Sequence, residues 1–78
     1  MKEAFVLVRC EAGHEVYVIR ELQKIEQVTE IQPIIGEYDL LVKLEMSNGS
    51  ETYKIANKKI LDVDKVRSIE VLASMARE

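Results

Sequence analysis

Two stretches of the chain are apolar at consecutive rather than alternate positions: Ala4-Phe5-Val6-Leu7-Val8 and Leu40-Leu41-Val42. A strand sends successive side chains to opposite faces, so each stretch predicts a strand packed from both sides. In the first strand, Ala4 to Cys10, Phe5 and Leu7 point one way, and Ala4, Val6 and Val8 the other. Glu11-Ala12-Gly13 breaks it. From His14 to Ile25 the period changes. Val18, Leu22 and Ile25 recur at helical spacing, with Val16 and Ile19 widening the stripe. Glu15 in the first turn and Lys24 in the last suit the helix dipole.

A second strand is expected over Val28 to Ile35. Pro33 lacks a backbone donor and therefore belongs on a sheet edge. Gly36-Glu37-Tyr38-Asp39 turns the chain into the third strand, Leu40 to Met46. There Leu40, Val42 and Leu44 form one face, while Leu41, Lys43 and Glu45 form the other. Ser47 to Ser50 is turn chemistry, with Ser47 or Ser50 as the helix cap. A second helix follows from Glu51 to Leu61, with Tyr53, Ala56 and Ile60 on its inner stripe. The fourth strand runs from Val66 to Met75. Ile69, Val71, Ala73 and Met75 share one face; Ser68, Glu70, Leu72 and Ser74 share the other. Residues 76–78 are expected to fray.

The order is β-α-β-β-α-β in a single domain, 1–78. It implies an α+β, ferredoxin-like open-faced sandwich, a four-stranded antiparallel sheet with two helices on one face. On this reading Val6, Val8, Leu41 and Leu72 lie on the uncovered face and Phe5 faces the helices. An uncovered apolar face asks for a second copy of the chain, so a homo-oligomer packed sheet against sheet is expected.

Composition narrows the function. A formal net charge of −3 argues against a general nucleic-acid binder, which needs a basic field. RNA recognition on such a sheet also needs several exposed aromatics, and the chain has one phenylalanine. No apolar run approaches the roughly 20 residues of a membrane span. Met1-Lys2-Glu3 is a poor signal peptide, and the default compartment is the cytoplasm. With one cysteine there is no disulfide within the chain. The lone His14 has no cluster for a metal, and Cys10 reads as a packed side chain rather than a nucleophile. There is no phosphate loop or nucleophile elbow. A phosphatase on this topology would need an arginine in a phosphate-cradling loop, and Arg9 is followed instead by Cys10-Glu11. The reading is not an enzyme, with no catalytic residues, no cofactor and no metal.

Taken alone, Gly36 and Asp39 read as hairpin residues, glycine for backbone shape and aspartate to accept a turn amide. However, Ile35-Gly36-Glu37-Tyr38-Asp39-Leu40-Leu41-Val42-Lys43-Leu44 resembles the signature hairpin of the effector-binding (RAM) domain of the Lrp/AsnC transcriptional regulators. Gly36, Tyr38 and Asp39 match it position for position, and the flanking elements match in order. The resemblance implies dimers that assemble into larger rings, with an amino acid or related small metabolite held between subunits. It places ligand-binding roles on Gly36, Tyr38, Asp39, Ser68 and Glu70. Asp39 would pair with an ammonium, and backbone amides near Gly36 would meet a carboxylate.

Three departures matter. The first strand follows Met1 at once, so a stand-alone module without a helix-turn-helix domain is expected. Such a module would act on transcription indirectly, without direct DNA binding, and a full-length regulator of the family is a candidate partner through mixed assembly. The connections before strands two and four read Glu26-Gln27-Val28 and Asp64-Lys65-Val66 where relatives often have Pro-Gly-Val. Glu70 stands where a small polar residue is expected. It lends weight to the alternative, a structural oligomerisation or protein-interaction module without effector binding.

Overall fold

The computed structural model describes residues 2–72. Its strands are β1 (Lys2–Cys10), β2 (Val28–Pro33), β3 (Leu40–Met46) and β4 (Val66–Leu72), with helix α1 (Glu15–Leu22) between the first two. Between β3 and β4 the chain passes through a 3₁₀ turn (Gly49–Glu51), a short helix α2 (Thr52–Ile55) and a π-helical turn (Ala56–Ile60). The sheet order is β2-β3-β1-β4, and every pairing is antiparallel. This is the expected ferredoxin-like arrangement. Pro33 lies on edge strand β2, where a missing donor costs least.

The core forms on one face. Val18 and Leu22 of α1, with Ile55, Ala56 and Ile60, pack on Ala4, Val6, Val8, Leu40, Val42 and Leu44. Each such aliphatic side chain contributes about 1.5–3 kcal/mol on burial. The open face is different from the one expected. Val6 lies opposite Val42 and Val8 opposite Leu40, so both are buried under the helices. Leu7 lies opposite Leu41, and Phe5 opposite Lys43 and Leu72. Phe5, Leu7, Leu41 and Leu72 therefore share the uncovered face. Directly opposed residues share a face in an antiparallel pair, and the buried set of β3 selects Ala4, Val6 and Val8 as its partners.

Several boundaries shift. Helix α1 ends at Leu22, and Lys24 and Ile25 close tighter turns onto the carbonyls of Glu21 and Leu22. Ile25 still packs on the core, so the tightened turns carry the chain down toward β2. Strand β2 stops at Pro33, and Ile35 is fully exposed. Asn48, not a serine, caps the second helical segment: its Oδ1 accepts the Ser50 N–H at 3.0 Å. Thr52 lies on the inner side with Ile55, and Tyr53 points outward. The π turn closes where Leu61 N–H reaches the Ala56 carbonyl at 2.9 Å. The expected continuation of β4 through Ala73, Ser74 and Met75 lies outside the described residues.

Candidate functional site

The link between β2 and β3 is bolted to the end of β1. Gly36 sits at φ +133°, a backbone region that side-chain-bearing residues rarely adopt. Asp39 then makes three attachments. Its N–H donates to the Val8 carbonyl at 2.9 Å, and its own carbonyl accepts the Ile34 N–H at 2.9 Å. Its Oδ2 accepts the Cys10 N–H at 2.7 Å. The last bond falls where β1 loses register with β4, between Arg9 and Cys10. An irregularity in a ladder leaves a strand amide without its usual partner, and the Asp39 carboxylate supplies one.

Tyr38 extends from this turn across the open face. Its hydroxyl donates to Glu70 Oε1 on β4 at 3.1 Å. That hydrogen bond, followed by burial and the negative charges of Glu70 and Glu37, raises the phenol above its ordinary 10.0, with Arg9 opposing. The phenol thus stays protonated near neutrality and remains a donor. The Arg9 guanidinium lies over the Tyr38 ring, 5.4 Å from its centroid, within cation–π range. Ser68 sits directly opposite Arg9 in the β1–β4 pairing, and Glu70 opposite Leu7.

Of the residues singled out in the sequence, Tyr38, Glu70 and Ser68 thus gather around the end of β1. Gly36 shapes the turn, and Asp39 is engaged with the backbone of Cys10. Arg9 belongs to the cluster and was not among the candidates. The signal for it was its parity: it alternates with Phe5 and Leu7 on β1, a lone cation on an apolar strand face.

Arg9 is also short of partners. Its Nε is buried without a hydrogen-bond acceptor among the described residues. The ion pairs of the described residues join Lys24 to Glu21, Lys43 to Glu3 and Glu45, and Arg67 to Glu11, and leave Arg9 out. Cys10, next in sequence, is buried, and burial first, then Asp39 and Glu15, pushes its thiol up to about 11. A thiol so protonated at neutral pH is a poor nucleophile. Among the described residues no group of three or more His, Cys, Asp or Glu side chains is placed to hold a metal ion. No helix among them is long and apolar enough to cross a membrane.

Comparison with known proteins bears on what this cluster serves. The family model described as "Lrp/AsnC ligand binding domain" matches residues 3–78. The HTH-type transcriptional regulator FL11 of Pyrococcus abyssi is 35% identical over 48 residues, covering 62% of this chain and 32% of the regulator. A homocitrate synthase of Sulfurisphaera tokodaii is 32% identical over 73 residues, 92% of this chain but 14% of the enzyme. The chain therefore spans a third or less of the curated relatives it matches. Among solved structures, FFRP-DM1 superposes with a TM-score of 0.86 at 28% identity, covering 96% of this chain and 100% of that one.

Proposed function

This chain belongs to the Lrp/AsnC ligand-binding domain family, and from that premise we propose that it is an effector-binding and oligomerisation module. It takes up an amino acid or related small metabolite between subunits and modulates transcription indirectly. The observation that carries this reading is the Arg9–Tyr38–Glu70 cluster. Charged groups of both signs converge beside the hairpin, on a sheet face that also carries Phe5, Leu7, Leu41 and Leu72. An apolar surround with a few convergent polar groups suits a small zwitterion. The same apolar residues supply the surface on which a second copy would pack, so the ligand would sit near an interface.

The partner need not be a DNA-binding regulator. The alignment with an enzyme chain, homocitrate synthase, places a segment like this one in a protein of another class. A full-length regulator joined by mixed assembly and an enzyme under effector control are both compatible with such a module.

One observation favours the alternative, an assembly module without effector. Glu70 Oε1 and Asp39 Oδ2 already accept internal hydrogen bonds from Tyr38 and Cys10. Thermal denaturation in the presence of individual L-amino acids separates the two. A saturable rise in Tm for one or a few of them, reduced in Glu70→Ala, supports the effector reading. No rise with any leaves the structural module.

A further inference from the structure

One charged group beside the hairpin, Arg9, has no ion-pair partner among the described residues. A guanidinium cannot shed its charge, and it carries five donors in a plane. Here its Nε is buried without an acceptor, and the group takes part in no ion pair among the described residues. Buried donors of this kind call for an explanation, because an unmet donor costs free energy in the folded chain. The nearby carboxylates do not supply it. Glu70 directs one oxygen to the Tyr38 hydroxyl, and Asp39 directs one to the Cys10 amide.

Two amides at the ends of the turn are already engaged. The N–H groups of Ile34 and Asp39 already donate, to the Asp39 and Val8 carbonyls. A carboxylate arriving at this hairpin therefore meets the remaining turn amides and, beside them, a guanidinium that takes part in no ion pair among the described residues. The Tyr38 ring lies against that guanidinium, its centroid 5.4 Å from the guanidinium carbon.

We propose that Arg9 binds the carboxylate of the effector, with Glu70 and Asp39 placed to receive its ammonium. This deepens the effector reading above and rests on it. It makes the carboxylate group, rather than the ligand's side chain alone, a requirement for binding. A planar guanidinium can meet both carboxylate oxygens at once, which a lysine cannot.

The test compares the L-amino acids with their α-carboxamides on the wild-type protein, by thermal shift and calorimetric titration. Arg9→Met and Arg9→Lys are titrated with the same acids. The expected result is that each acid that binds loses about 10-fold or more in affinity as its amide. Arg9→Met should lose the acids similarly, and Arg9→Lys should recover only part of the loss. If amides bind the wild type as well as acids, or if Arg9→Met at wild-type solution mass binds acids unchanged, the Arg9 assignment is overturned and the effector reading stands. If neither acids nor amides bind the wild type, both are overturned. The comparison of acid with amide needs no variant, so equal binding overturns the assignment even if Arg9→Met fails to fold.

Discussion

Asp39 reaches across the sheet end to accept the backbone N–H of Cys10 at 2.7 Å. The contact joins the hairpin that carries Gly36 and Tyr38 to the strand that carries Arg9. It gives Asp39 a structural duty beside any duty toward a ligand. Asp39→Ala should lower stability by about 1–3 kcal/mol, the cost of leaving a partly buried donor unmet. Asp39→Asn keeps an acceptor oxygen and should lose less. Chemical denaturation of both variants checks this. Equal stability of Asp39→Ala and wild type would remove the structural duty.

Gly36 should be intolerant of a side chain for reasons of backbone alone. Its φ is +133°, and a Cβ placed there would meet nothing within 4 Å. The cost of Gly36→Ala is therefore strain, on the order of 1–3 kcal/mol. At Gly49 φ is not in that region and an added Cβ would meet Lys2 Cγ at an ordinary 3.6 Å. Gly49→Ala should stay within about 0.5 kcal/mol of wild type. Paired denaturation curves distinguish strain from crowding.

Alkaline pH should destabilise the protein, and Cys10 should contribute. Burial, with Asp39 and Glu15, raises its thiol from 9.0 to about 11. A group whose pKa is raised by folding favours the fold while protonated. Its contribution is complete below pH 9.0 and is lost as pH rises through about 11. Tyr38 and Lys43 are raised as well and add to the same decline, Tyr38 chiefly through Glu70 and Lys43 chiefly through Glu3. Removing the thiol isolates its share: Tm against pH should fall less steeply for Cys10→Ala than for wild type. Parallel curves would contradict it.

The two faces of the sheet should respond differently to substitution. Leu44→Ala lies in the core and should cost about 2–5 kcal/mol. Leu41→Glu lies opposite Leu7 on the uncovered face. It should leave the single chain folded and lower its mass in solution, because a charge would have to be buried between subunits. Circular dichroism and light scattering of the two variants read these outcomes.

Much of this architecture was legible from pattern. Pro33 marked an edge, the period switched from two to helical at His14, and Gly36, Tyr38 and Asp39 announced the hairpin. The assignment of faces was not legible, because Ala4 to Val8 are apolar in both parities. Only the pairing of Val6 with Val42 and Val8 with Leu40 separates them. Helical spacing places Tyr53 inward, but the 3₁₀ and π turns on either side of α2 displace the regular helical phase. The place of Arg9 was hidden too. It depends on Tyr38 folding across the sheet toward Glu70, a contact between segments that no local spacing encodes.

The most direct measurement is the mass in solution, by sedimentation, with and without a pool of L-amino acids. An effector-responsive assembly predicts a multiple of the single-chain mass whose distribution shifts when the amino acids are added. A single-chain mass under both conditions would contradict the proposed module, since neither the shared apolar face nor a site between subunits would then exist.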